Sequence, residues 1–200
     1  MRMDILTIAS VVLAPACASA SPAASQRAAI VQEDEIRCAA LEAAVDSLVP
    51  RRPGQRLALT DSTYPVRQSS VVTSYWNRLA SVPGLDSTTW RSFVAQNQGR
   101  RPICAALPSG ASLVFASDRV RRGLARDNPG DYWRAFYARF PETRGLTSVS
   151  GIGLSADVSQ ALLTLSHACG GLCGHHHIVL LERTSNGRWR IRYALLTMVS

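Results

Sequence analysis

The C-terminal end of the chain constrains the fold more than any other stretch. From Arg188 to Met198, Trp189, Ile191, Tyr193 and Leu195 alternate with Arg188, Arg190, Arg192 and Ala194. A two-residue repeat sends successive side chains to opposite faces of a strand, so this pattern predicts a half-buried strand with a basic outer face. Asn186-Gly187, just before it, is a strong hairpin signal. Upstream, His175–Arg183 (HHHIVLLER), Gln160–His167 (QALLTLSH) and Thr147–Ser155 read as three further strands. Gly151 and Gly153 mark a bulge or tight packing in the first of these. Residues 146–200 are therefore expected to form a four-stranded antiparallel meander.

The preceding residues read mostly as helices. Cys38, Leu41, Val45 and Leu48 recur at steps of three and four, with Glu33, Asp34 and Glu35 near the start and Pro50 beyond the end. Carboxylates suit the positive end of a helix, and proline stops one. Val71, Val72, Tyr75, Trp76 and Leu79 suit a second helix. Trp90, Phe93, Val94 and Asn97 suit a third, capped by Asp86 or Ser87 after the Pro83-Gly84 turn. Asp131–Phe140 (DYWRAFYARF) is the clearest helix, ended by Pro141. Its Trp133, Phe136, Tyr137 and Phe140 share one face, the spacing of a core stripe. Asp131 and Glu142 flank it, one as a cap and one past its end. Arg56–Thr60 alternates like a strand, and Ala111–Ala116 reads as a buried one.

The expected class is α+β, with N-terminal helices packed on the C-terminal meander. A 200-residue chain that is 46% apolar and 18% charged has enough core-forming residues to exclude a disordered polymer. Residues 27–200 are expected to form one domain, helical and mixed over 27–145 and meander over 146–200.

An apolar run, Ile5–Ala14, follows Arg2 and precedes Ala14-Pro15-Ala16-Cys17-Ala18-Ser19-Ala20. This is a signal-peptide pattern over 1–20 with Ala18-x-Ala20 at the cleavage site, and residues 21–26 (SPAASQ) read as a flexible leader. The run is too short to span a bilayer, and no transmembrane segment is expected after its removal. The alternative is lipoprotein processing after Ala16, with Cys17 lipidated; Leu13 stands one place too early for a good lipobox. Either route exports the protein, to the periplasm or the exterior, where disulfides are the rule.

There are five cysteines, and four remain after removal of Cys17 with the leader. Four cysteines allow three pairings. The leading one pins a strand-to-strand turn with Cys169–Cys173 and leaves Cys38 to Cys104 by elimination. The Cys169-x-x-x-Cys173 spacing is one residue too long for a thioredoxin-type redox motif.

Several of these elements occur together in a recognisable order. The run from Trp133 to Pro141 is followed by Gly145, Ser150-Gly151, Ala161-Leu162, the C-G-G-L-C-G run from Cys169 to Gly174, Leu180-Leu181-Glu182, and Gly187-Arg188-Trp189. This series resembles a group of exported bacterial proteins with no established activity. The resemblance spans about Trp133 to Ser200, with a weaker echo at Asp61-Ser62-Thr63 and Phe93–Asn97. It implies export and a closing hairpin, and it carries over no catalytic residue. The chain departs from the group at His175-His176-His177, where the group has Gly and aromatic residues, and at Ile152, where it has Phe.

His167, Cys169, Cys173, His175 and His177 lie close together in sequence and offer zinc-compatible ligand types. Their spacing matches no established zinc pattern, and an oxidised cysteine pair cannot ligate as thiolate. An all-histidine set of His167, His175 and His177 is the metal-binding alternative. No G-x-S-x-G nucleophile turn is present, and Ser166 and His167 fall on opposite faces of one strand. No phosphate-binding glycine loop occurs.

The net charge of +8 is carried by 22 basic residues, every one an arginine. Their spread along the chain gives no specific nucleic-acid signal. The densest cluster, Arg119, Arg121, Arg122 and Arg126, falls in an expected loop. Arg188, Arg190 and Arg192, spaced by two, form a candidate row for an anionic polymer or headgroup. The expected function is an exported, non-catalytic binding or structural domain without a cofactor. Its partner would be an anionic envelope component or a protein. An enzyme with a dispersed site, or a metal-binding protein, is the alternative.

Overall fold

A three-residue loop after Thr184 closes the last hairpin, with Gly187 at φ +80° and the Thr184 amide donating to the Arg188 carbonyl at 2.8 Å. The hairpin belongs to a computed structural model that describes residues 22–49, 54–65, 82, 84–104 and 113–199. Its elements run α1 (Pro22–Leu48), β1 (Arg56–Thr60), α2 (Ser87–Gln96), β2 (Leu113–Ala116), α3 (Asp118–Asp127), α4 (Tyr132–Arg139), β3 (Thr143–Val149), β4 (Gly153–Leu154), β5 (Gln160–Gly170), β6 (Cys173–Arg183) and β7 (Trp189–Val199). The fold is mixed α+β. The helix expected over 71–79 lies outside the described residues.

The sheet is larger than a four-stranded meander. Among the described residues it has seven strands, in the order β2-β1-β3-β5-β6-β7, with β4 on the same strand, β5, as β3. β1 pairs in parallel with both β2 and β3, while the later pairings are antiparallel. The strand expected over Thr147–Ser155 is therefore two strands with a break at 150–152, and the sheet is mixed. A parallel partner separated by a long crossover leaves no turn signal, which is why β1 and β2 escaped the meander count.

Side-chain alternation then assigns the layers. Leu57 and Leu59 of β1, Leu163 and Leu165 of β5, and Val179 and Leu181 of β6 join a core with Ala40, Leu41, Ala44 and Val45 of α1. The intervening residues face the other way. Leu162, Ile178 and Leu180 pack with Phe93 of α2, and Ala58 and Leu146 with Phe136 and Phe140 around α4. Thus α1 covers one face of the sheet, and α2, α3 and α4 cover the other. The small side chains of Ala40 and Ala44 are fully buried, so the helix backbone lies close to the strands.

Other expectations need correction. α1 starts at Pro22, so most of the stretch expected to be a flexible leader is helical. The Arg119–Arg126 stretch is helix α3, not a loop: Ser117 caps it at the Val120 amide, and Val120 and Leu124, one turn apart, pack on the α4 cluster. β2 is an edge strand with Phe115 exposed. Asp131 stands at the cap position of α4, but its carboxylate bonds Arg134 instead.

The alternation in β7 is also broken. Leu180 lies opposite Tyr193 and Leu181 opposite Ile191, so Arg192 is an extra residue at a bulge. Trp189 and Ile191 consequently pack on the α1 side, and Tyr193 and Leu195 on the α2 side. One extra residue reverses which face each later side chain meets.

Candidate functional site

The break between β3 and β4 has a definite cause. A Cβ on Gly153 would stand 2.3 Å from the Phe93 amide nitrogen, and one on Gly151 would stand 2.6 Å from the Gln96 carbonyl oxygen. Only glycine lets the strand lie this close to α2. The buried Asn97 side chain takes the place of a neighbouring strand. Its oxygen accepts from the Gly151 amide at 2.9 Å, and its nitrogen donates to Gly151 O at 3.1 Å and Phe93 O at 2.8 Å. The Ser150 hydroxyl accepts from the Thr164 amide at 2.8 Å.

This fixed bulge is one wall of an open cleft of about 1070 Å³. The facing wall is the N-terminal half of α1, where Ile30 and Val31 are 54% and 57% exposed. Arg37 ties the two walls by donating to the Ile152 carbonyl at 3.2 Å, and it pairs with Glu33 and Asp34 on its own helix. The third wall is the 101–104 segment, held by the Thr63 amide donating to Arg101 O at 2.8 Å. A disulfide from Cys38 to Cys104, with Cα atoms 5.6 Å apart, locks this segment to α1. The cleft is thus lined by apolar Ile30, Val31, Ile103 and Ile152 and by charged residues including Glu35 and Arg101. The helical spacing of α1, the glycines and the cysteines carried local sequence signals, but nothing local brought these walls together.

The histidines gather on the β5–β6 hairpin. His167 lies directly opposite His175, and Leu165 opposite His177, so the three rings of His167, His175 and His177 share the α1-side face. Ring centres are 5.4 Å apart for His167 and His175, and 5.0 Å for His175 and His177. His167 is saturated: its Nε2–H donates to Arg144 O at 3.0 Å, which leaves Nδ1 to accept from the Thr147 hydroxyl at 3.0 Å. Burial, and then the neighbouring His175, hold its pKa below the usual value. Burial followed by His175 does the same to His177. His175 Nε2 and His177 Nδ1 are buried and make no hydrogen bond. Cys169 and Cys173, at the end of this hairpin, are joined in a disulfide. Among the described residues, no three His, Cys, Asp or Glu groups converge as metal ligands.

His176 occupies the opposite face and was not among the metal-ligand candidates read from the sequence. The register slips between His176 and His177, so Thr197 is the extra residue of a second bulge. Its hydroxyl donates to His176 O at 2.9 Å and accepts from His176 Nδ1 at 2.8 Å. Nε2 then accepts from the Tyr64 hydroxyl at 3.1 Å, and Tyr64 in turn bonds Thr164 at 2.6 Å. Burial, then His177, bring the His176 pKa down to about 4, as this neutral bonding pattern requires. The sequence separation of Tyr64 and His176 left this chain of bonds without a local signature. Ser166 lies opposite His176, on the face away from His167.

The expected arginine row is not a free cationic stripe. Arg190 and Arg192 both pair with Glu182, the latter at 3.4 Å, and the Arg192 guanidinium packs against Gly84. Arg188 is exposed before β7. Arg100, and Arg121 and Arg122 of α3, converge on Asp118. Burial would raise the Asp118 pKa, but Arg121 and Arg100 together hold it below the usual carboxylate value. Arg119, Arg122 and Arg126 line a shallow hollow of about 770 Å³ at Gly123.

No protein-family model matches the chain, and no curated protein or solved structure shows significant similarity to it. Among the described residues, no helix is long and apolar enough to cross a membrane.

Proposed function

We propose that the chain is an exported, disulfide-stabilised binding domain without catalytic activity, and that its ligand lies in the cleft between α1 and the β3–β4 break. The cleft carries this reading: a hollow of about 1070 Å³ with exposed Ile30 and Val31 facing a backbone held rigid by Asn97 and Arg37. Binding sites are typically concave, mostly apolar and largely formed in advance, with a few polar groups that orient the ligand. The apolar leader at 5–14 and the two disulfides support export. Kinship with the exported bacterial group that shares the Trp133–Trp189 series belongs to the same proposal. The mixed lining fits a protein segment that presents one apolar side chain beside a polar backbone. An anionic envelope partner finds its best support on α3, at Arg119 and Arg122, rather than along β7.

A photo-crosslinking amino acid placed at Ile30 or Val31 tests the cleft in the native compartment. Discrete adducts are expected there, and they should vanish when Ile103→Asp is added to the same chain. The same probe at Arg188, outside the cleft, should give none. Equal adducts at both positions, or a protein with free thiols at 38 and 104, would overturn the reading.

A further inference from the structure

The hairpin that joins β5 to β6 holds two features that the cleft does not use. His175 Nε2 and His177 Nδ1 are both buried and both lack a hydrogen-bond partner. Neutral imidazole has one N–H and one lone-pair nitrogen, and leaving either unbonded away from water is unfavourable. Their neighbour His167 shows what a satisfied ring looks like in the same place, with both nitrogens bonded. The unused nitrogens are therefore a specific property of the pair.

The two rings stand on one strand at i and i+2, so they project from the same face. Their centres are 5.0 Å apart. Two imidazoles bound to one tetrahedral ion at the usual metal–nitrogen length of about 2.0–2.1 Å have ring centres roughly 5.2 Å apart. The observed spacing is compatible with that requirement. The pair lies beside exposed residues of β7. Leu196, opposite His177, and Val199, opposite His175, are 49% and 69% exposed.

We propose that His175 and His177 chelate one divalent transition-metal ion, copper or zinc. Imidazole suits both metals, and copper(II) binds a given nitrogen site more tightly than zinc. His167 is no ligand in this site, since Arg144 and Thr147 hold its nitrogens. The sulfurs of Cys169 and Cys173 are likewise engaged with each other. Each ring coordinates as the neutral base, so protons compete with the metal. This inference is independent of the cleft and would stand if the cleft bound nothing.

The test uses the untagged, disulfide-intact chain, stripped with a chelator and titrated with Cu²⁺ or Zn²⁺ alone at pH 7.5 against a chromophoric competitor. One ion per chain is expected, with copper held more tightly. The His175→Ala, His177→Ala double variant should lower copper affinity at least tenfold, whereas His167→Asn should change it less than twofold. Cu²⁺ added to the unsubstituted protein gives a readout that needs no variant. Paramagnetic broadening in nuclear magnetic resonance should centre on residues 175–177 and 196–199. Absence of saturable binding, affinity unchanged in the double variant, or broadening centred elsewhere would each overturn the site.

Discussion

Asn97 is the residue on which the site's geometry most depends. Its amide both accepts from and donates to Gly151, satisfying a backbone segment that has left the sheet. Truncation would leave a buried N–H and two carbonyls with one partner fewer, at about 1–3 kcal/mol for each group left unpaired. Asn97→Ala is accordingly expected to destabilise the protein by about 2–4 kcal/mol in urea unfolding. A loss below about 0.5 kcal/mol would mean that the bulge is held by other contacts. Asn97→Asp should be nearly as damaging, because a carboxylate cannot donate to Gly151 O. The two glycines were readable as a bulge signal from the sequence. Asn97 was read only as a helix-face residue, since its partner lies 54 positions away.

At the scale of elements, the turn between β4 and β5 depends on a single carboxylate oxygen. Asp157 Oδ1 accepts from the Ser155 hydroxyl at 2.6 Å, the Ser159 hydroxyl at 2.8 Å and the Ser159 amide at 3.0 Å. The Ser155 hydroxyl, then the Ser159 hydroxyl and amide, lower its pKa from the ordinary 3.8 to about 2. A carboxyl with a depressed folded-state pKa stabilises the fold above the unfolded value, and that contribution disappears as the pH falls through the folded one. The melting temperature should therefore fall between about pH 3.8 and pH 2, and Asp157→Asn should flatten that part of the profile. An unchanged acid slope in the variant would dissociate Asp157 from it.

The elements differ in how legible they were, for reasons of range. α4 and the β6–β7 hairpin announce themselves through local periodicity and turn chemistry. α3 was obscured because Gly123 and its many charges resemble a loop, yet Val120 and Leu124 supply the apolar contacts that hold it. β7 was half legible: alternation revealed a strand, but two bulges place its apolar residues on different faces. A bulge is decided by the partner's register, which one strand's sequence does not contain. The cleft was illegible for the same reason, since its walls come from three distant stretches.

Over the whole molecule, the two disulfides constrain the chain very differently. Cys38–Cys104 spans a separation of 66 residues and joins α1 to the 101–104 segment, whereas Cys169–Cys173 spans 4 within one hairpin. On the chain-entropy estimate, the first is worth about 4 kcal/mol and the second about 2 kcal/mol. Replacing Cys38 and Cys104 by serine should therefore lower stability by more than replacing Cys169 and Cys173, as measured by equilibrium unfolding. Equal losses would show that strain or residual unfolded structure outweighs loop size. The cysteine pairs were accessible to sequence reasoning because four sulfurs can be paired in only three ways. The sheet order was not, because β1 pairs with β3 only after a long connection that includes α2, β2, α3 and α4.

The longer bridge also turns the stretch from Cys38 to Cys104 into a closed covalent ring, from which the part of α1 before Cys38 projects on one side and β2 and its successors on the other. A protease that cuts one peptide bond inside that ring severs the polypeptide without separating the molecule. Both pieces travel together at full mass until a reductant opens the sulfur link, so damage in this half stays hidden on a non-reducing gel. The same cut made after Cys104 and before Cys169 would release a free fragment once the fold opened.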